Sequence, residues 1–145
     1  MDDIKDISLN KAVTSSLQDY LETILELSKT EETVRVTDIA SSLNIAKPSV
    51  AQALQVLKKR GFITQSRYGP VELTEKGIQY ASIIRYRHKV LRFFLQEVLK
   101  VAPETAENDA CLIEHDLSNE TFEKLLDYLE KREGKPDFSR NNYQL

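Results

Sequence analysis

The chain carries two histidines and one cysteine, and all three lie beside carboxylates on segments with helical periodicity. Cys111, Glu114 and His115 fall within one helical turn and a half, so their side chains share a face. Asp19 and Glu22, three positions apart on an earlier helical segment, share another, and His88 sits midway along a long helical stretch. Brought together, these residues offer two imidazoles, three carboxylates and a thiol. That mixed set suits a first-row transition ion better than Ca²⁺ or Mg²⁺, which take oxygen alone. On spacing alone the same residues also fit a solvated acidic face and a cysteine used as core filler.

A second kind of chemistry is written in the charges. The net charge is −3, yet from Ile39 to Val71 there is no Asp or Glu, while Lys47, Lys58, Lys59, Arg60 and Arg67 make that window basic. A basic module joined to an acidic one is the footprint of a polyanion on one part of the chain. Within the window, Lys47, Pro48, Ser49, Ala51, Gln52 and Gln55 lead a predicted helix from Pro48 to Arg60. Small and hydrogen-bonding side chains suit a helix tip that meets base edges, and Gln pairs bidentately with adenine. Val50, Ala53, Leu54 and Leu57 form the stripe that holds this helix down, and Lys58, Lys59 and Arg67 are placed to meet phosphates.

These side chains need a frame, and the punctuation of the chain supplies one. Apolar residues at helical spacing predict a first helix from Ser15 to Lys29. Thr37 is expected to cap a short helix ending near Asn44, and Pro48 opens the next, which stops at Gly61. Phe62–Ser66 and Val71–Leu73 around Arg67-Tyr68-Gly69-Pro70 read as a hairpin. Thr74 caps a helix from Glu75 to about Lys100, with Ile78, Ala81, Ile84, His88, Leu91, Phe94, Leu95 and Val98 in one stripe. Pro103 begins a helix to about Asp116, Ser118 caps a last one to about Lys131, and the tail after Glu133 is polar and loose.

The predicted fold class is mainly α: a winged helix-turn-helix DNA-binding domain over 1–74, then an all-helical metal-binding and dimerisation domain over 75–145. Length, 145 residues, excludes a large multidomain enzyme. The acidic start and short apolar runs predict a cytoplasmic protein with no membrane partner, and a lone cysteine excludes an internal disulfide. Phe93, Phe94, Leu112, Leu125 and Leu129 exceed what one small helical layer buries, which predicts a homodimer.

The stretches VTDIASSLNIAKPSVAQALQVLKKRGFI, YGPVELTEKG, RYRHKVLRFFL and DACLIEHDLS together resemble the diphtheria-toxin-repressor family of metal-dependent transcriptional repressors, over about Ser15 to Lys131. The resemblance implies metal ligation by Asp19, Glu22, His88, Cys111, Glu114 and His115, and base-facing roles for Pro48, Ser49 and Gln52. It implies one or two Fe²⁺ or Mn²⁺ ions per subunit and a dimer on a palindromic double-stranded operator of metal-uptake genes. Asp19 is similar to the manganese branch, whereas Cys111 is similar to the iron branch, so the chain reads as a hybrid. Arg92 and Glu107 stand where the iron branch has the Glu and His of an ancillary site, which implies that this site is lost. The end of the chain is similar to the short manganese branch, without an SH3-like domain. The number of anionic groups favours two ions if Cys111 bridges, as the resemblance to the manganese branch implies for its position.

Two rival readings remain at this level. A metalloenzyme built on His88, Glu114 and Cys111 lacks a phosphate loop, a nucleophile elbow and an H-E-x-x-H motif. A winged-helix regulator answering to a small organic ligand or to Cys111 oxidation keeps the DNA-binding half but makes the acidic helices structural.

Overall fold

The computed structural model describes residues 13–134; the expectation of a loose tail falls on residues outside these. The order is α1 (Ser15–Thr30), α2 (Val36–Leu43), α3 (Lys47–Lys59), β1 (Ile63–Gln65), β2 (Val71–Leu73), α4 (Glu75–Phe93), a π-helical turn (Phe94–Val98), α5 (Pro103–Asp116) and α6 (Asn119–Glu133). The described residues form two compact units, one up to Ile83 and the other from Ile84 onward. The division therefore falls inside α4, nine residues beyond Thr74, because the first turns of that helix belong with the hairpin.

In the first unit α1, α2 and α3 pack on one another and on the hairpin. Tyr20, Leu21 and Ile24 of α1, Ile39 and Ala40 of α2, and Val50, Leu54 and Leu57 of α3 are buried. Thr14 caps α1 by accepting from Leu17 N–H at 3.3 Å. The start of α2 differs from the expectation: it is Val36, with Thr37 inside the first turn. Asp38, one residue further on, reaches back to accept Arg35 N–H at 2.9 Å and does the capping that Thr37 was expected to do.

Both helices that frame the turn end in the same way. Asn44 adopts φ +54° while Ile45 N–H returns to Ala40 O at 3.0 Å, and Gly61 adopts φ +81° while Phe62 N–H returns to Leu57 O at 3.0 Å. These six-to-one bonds with a left-handed residue satisfy the last carbonyls and turn the chain sharply. The antiparallel strands pair Ile63 with Leu73, Thr64 with Glu72 and Gln65 with Val71. Val71 N–H also donates to Val34 O at 2.7 Å, which ties the hairpin to the loop before α2.

Thr74 locks the hairpin to α4. Its Oγ1 donates to Gly61 O at 2.6 Å and accepts Gly77 N–H at 3.1 Å, while its own N–H donates to Phe62 O at 3.0 Å. Gly77 is required here because a Cβ would stand 2.0 Å from Phe62 O. Ile78, expected in the buried stripe, is 47% exposed, since the stripe of α4 begins with Tyr80 and Ala81.

The second unit is wholly helical among its described residues. Val90, Phe122 and Leu129 form one cluster; Leu91, Leu95, Ala106 and Ala110 form another; Phe94 packs against both. The long helix does not run evenly to Lys100. It widens at Phe94–Val98, where Leu99 N–H reaches Phe94 O at 3.1 Å, and it ends at Lys100 with φ +61°. Consecutive residues of this long element serve the two clusters, Val90 the first and Leu91 the second, and Leu95 in the wider turn joins the second.

Thr74→Ala is expected to lower unfolding stability by about 1–2 kcal/mol, through loss of a cap that also anchors Gly61. Gly77→Ala should cost about 1–3 kcal/mol by overpacking against the Phe62 carbonyl. Urea unfolding followed by circular dichroism measures both.

Candidate metal centre and nucleic-acid interface

In the second unit four of the expected ligands stand close in sequence or space. His88 projects from α4; Cys111, Glu114 and His115 project from α5. The His88 ring is held on both sides: Nδ1 lies 2.7 Å from Glu114 Oε2, and Nε2 lies 3.0 Å from both oxygens of Glu107. Cys111 Sγ is 3.8 Å from His88 Nδ1 and 4.0 Å from Glu107 Oε1. His115 Nε2 is 3.4 Å from Glu114 Oε1. Glu114 is buried to 1% exposure, a position that a carboxylate holds only when partnered.

One donor of His88, Cys111 and Glu107 can be taken from each so that all lie within 4.8 Å of one another. Glu107 was expected only as a departure from an ancillary site, so sequence reasoning missed it as a neighbour of His88. Its spacing was a usable signal, because Glu107, Cys111 and Glu114 follow the i, i+4, i+7 rhythm of one helix face.

Two arginines hold this cluster in place. Arg87, 2% exposed, donates from Nη1 to Glu114 O at 3.2 Å and to Leu117 O at 2.6 Å, and from Nη2 to Asn119 Oδ1. Its guanidinium also lies 5.2 Å from the Phe122 ring centroid. One side chain thus ties α4 to the junction between α5 and α6 and sets where Glu114 stands. Arg92, one turn after His88, places Nη1 3.1 Å from Glu107 Oε2.

The charges set the protonation of the ring. Burial works against a charged imidazole, but hydrogen bonds with Cys111 and Glu114 and the charges of Glu114 and Glu107 outweigh it and push His88 from 6.5 up to about 11. The proton is therefore the cation that reconciles the carboxylates near neutrality. The raised value stabilises the fold fully below the unfolded 6.5, and this stabilisation is lost as pH rises through about 11.

Asp19 and Glu22 lie on α1 in the first unit, three positions apart, Asp19 exposed and Glu22 half-buried. In the same unit α3 shows two distinct faces. Val50, Leu54 and Leu57 are buried, whereas Lys47, Pro48, Ser49, Ala51, Gln52, Gln55, Lys58 and Lys59 are exposed. Pro48 sits in the first turn, where its missing N–H has no helical partner to lose. The start of α3 therefore presents its small and amide side chains outward with no acid beside them.

Lys58, expected at a phosphate, donates to Gln65 O at 2.6 Å and so braces the hairpin against α3. Arg67 is exposed at the hairpin tip, 5.3 Å from the ring centroid of Tyr68, which is itself 86% exposed. Of the apolar residues expected in a dimer face, Leu129 is fully buried within the unit and belongs to its core, while Leu112 is 71% exposed. No helix among the described residues is long and apolar enough to cross a membrane.

Comparison with known proteins agrees with both halves. Residues 12–71 match the N-terminal DNA-binding domain of iron-dependent repressors, and residues 74–140 match their metal-binding and dimerisation domain. An uncharacterised helix-turn-helix-type transcriptional regulator of Methanocaldococcus jannaschii is 36% identical over 120 residues, covering 82% of this chain and 96% of that protein. The helix-turn-helix-type transcriptional regulator MntR of Lysinibacillus sphaericus is 33% identical over 124 residues, 86% of this chain and 88% of its own. The solved structure of the manganese regulator SloR superposes with a TM-score of 0.70 at 26% identity, over 83% of this chain. The chain spans about half of that structure, 54%.

Arg87→Lys keeps the charge but loses the planar fork that grips three acceptors. It is expected to weaken metal affinity by about 10- to 100-fold through misplacement of Glu114, read by calorimetric titration. Because a ligating imidazole must be neutral, ion uptake near pH 7 should release at least one proton per ion, and affinity should rise with pH. Titration in buffers of different ionisation enthalpy counts those protons.

Proposed function

The chain belongs to the iron-dependent repressor family of metal-dependent transcriptional regulators, and on that premise we propose that it represses metal-uptake genes by binding a palindromic operator as a metal-loaded homodimer. The observation that carries this reading is the His88 imidazole clasped by Glu114 and Glu107 beside the Cys111 thiol. That is a donor set of nitrogen, oxygen and sulfur whose anionic members need a cation, so the residues present fit a divalent transition ion.

The proposed holders are His88, Cys111, Glu114 and His115 of the helical unit, joined by Asp19 and Glu22 of the DNA-binding unit, for Fe²⁺ or Mn²⁺ at one or two per subunit. A bound ion supplies the positive charge that keeps these carboxylates and the thiolate together once the His88 proton has left. Asp19 and Glu22, a turn apart on α1, offer their oxygens from the element that α3 packs against. Through them, α1 passes a preference for one placement of the reading helix on to α3. Coupling of about 1–3 kcal/mol per site is enough to alter operator affinity by roughly 5- to 150-fold.

On DNA, Lys47, Pro48, Ser49, Gln52 and Gln55 form the proposed base-facing tip of α3, and Arg67 the phosphate contact of the hairpin. Lys58, exposed and with one donor on Gln65 O, is a further proposed phosphate contact beside the hairpin. Exposed Leu112 is placed in the proposed contact between two copies of the helical unit. The protein acts by binding rather than catalysis, in the cytoplasm, where its operator lies.

Fluorescence anisotropy with an operator duplex tests this reading. Chelation should weaken binding by about 5- to 150-fold, with recovery on adding Fe²⁺ or Mn²⁺ under anaerobic conditions. His88→Ala should bind equally with and without metal; a wild-type protein indifferent to chelation would overturn the proposal. Gln52→Ala should cost about 1–3 kcal/mol and relax discrimination at one base pair, whereas Arg67→Ala should weaken all sequences alike and reduce the salt slope by about 1.

A further inference from the structure

We propose that Tyr68, at the tip of the hairpin, enters the minor groove beside each half-site and makes the protein prefer A·T pairs there. This deepens the reading above and rests on its placement of the α3 tip against base edges.

The backbone at the tip carries the argument. Ser66, Arg67, Tyr68 and Gly69 form a tight turn closed by Gly69 N–H on Ser66 O at 2.8 Å. Tyr68 holds its third position with φ +61°, a left-handed conformation that glycine adopts freely and a bulky residue adopts only under strain. Glycine stands one residue later, where a Cβ would collide with Ser66 Oγ. The turn thus needs Gly69 for space, while the strained position is filled by an aromatic residue that is 86% exposed. Neither backbone preference nor burial favours tyrosine there, and strain of this kind gathers where a side chain meets a ligand.

The surroundings identify the occupant. Gln65 Nε2 donates to Gly69 O at 3.1 Å and Lys58 Nζ to Gln65 O at 2.6 Å, so the turn is tied to the end of α3. The Arg67 guanidinium lies 5.3 Å from the centre of the Tyr68 ring, and no Asp or Glu occurs between Ile39 and Val71. A cation beside the ring and an acid-free surround suit a polyanion. A segment that reaches past a helix seated in the major groove meets the adjacent minor groove.

The chemistry of the side chain then sets what is read. The phenol donates one hydrogen bond, and A·T and T·A pairs both offer only acceptors in the minor groove, A N3 and T O2. A G·C pair adds the guanine N2 amino group, which stands in the path of a ring at the groove floor. Arg67 remains the phosphate contact of the same turn.

The test uses the full chain loaded with Fe²⁺ or Mn²⁺ and binding sites selected from a random-sequence duplex library at one fixed salt concentration. Wild type should enrich A·T pairs beside each half-site in either orientation. Replacing one such pair by G·C in a selected duplex should weaken binding about 5- to 150-fold, and inosine·C, which lacks the N2 amino group, should restore it. Tyr68→Phe keeps the ring without the donor and should bind the A·T-flanked duplex about 2- to 10-fold more weakly. Tyr68→Gly should lose the discrimination between A·T and G·C flanks. Its melting temperature should stay at or above that of wild type, because glycine relieves the strained φ.

Equal affinity of wild type for A·T- and G·C-flanked duplexes overturns the proposal, as does a Tyr68→Gly protein that keeps the discrimination. A G·C penalty that inosine·C leaves in place overturns the minor-groove contact, and a Tyr68→Phe protein with wild-type affinity overturns the donor role of the phenol. A Tyr68→Gly protein that melts well below wild type assigns the tyrosine to holding the hairpin and also overturns the proposal. If loaded wild type enriches no sequence at all, the reading of the preceding section fails instead, and the role of Tyr68 falls with it.

Discussion

The helical unit depends on one electrostatic constraint: two carboxylates, Glu114 buried and Glu107 largely so, flank a single imidazole, with an exposed thiol beside them. A carboxylate at 1% exposure, as Glu114 is, survives only with permanent partners. His88 meets it through Nδ1, His115 lies at its other oxygen, and Arg87 grips the carbonyl of the same residue. The proton on His88 is the exchangeable member of this set, and the two arginines are the permanent ones. A site whose resting positive charge is a proton is disposed to trade it for a metal cation, and the rest of the unit keeps the donors in place through that exchange.

The apolar packing explains how so short a unit keeps such a cluster rigid. Two clusters adjoin through Phe94, Leu117 and Leu125, which pack against both. Arg87 threads beneath, stacked near Phe122, with its fork spent on the carbonyls at the end of α5 and on Asn119 at the start of α6. Interiors at native density transmit displacement rather than absorb it. A shift of Glu114 therefore reaches the α5–α6 junction and the α4 backbone together.

The DNA-binding unit solves a different problem, which is to offer a helix tip without side chains that repel phosphate. The apolar stripe of α3 is turned inward, its amide and hydroxyl residues outward, and the adjoining turns close through Asn44 and Gly61 in left-handed conformations. Lys58 donates to Gln65 O, which braces the hairpin, while its side chain stays exposed. The same window leaves Lys47, Lys59 and Arg67 exposed.

Local chemistry made much of this legible beforehand. Apolar periodicity, Pro48 and Pro103 at helix starts, Gly61 at a helix end and Thr74 before the long helix all act within a few residues, so the order of elements and the two faces of α3 follow from the amino acids alone. The C-x-x-E-H spacing likewise puts Cys111 beside Glu114 and His115 wherever α5 lies. Other features depend on groups far apart in the chain, and these the tertiary structure decided. Capping by Asp38 in place of Thr37 is a contest between neighbouring polar side chains that only the fold of the preceding loop resolves. The burial of Arg87, the widened turn at Phe94 and the convergence of Glu107 on His88 arise from α4 and α5 packing at one particular rotation. Periodicity tells which residues share a helix face, but the face that opposes it belongs to another segment, and no spacing within either one specifies that match.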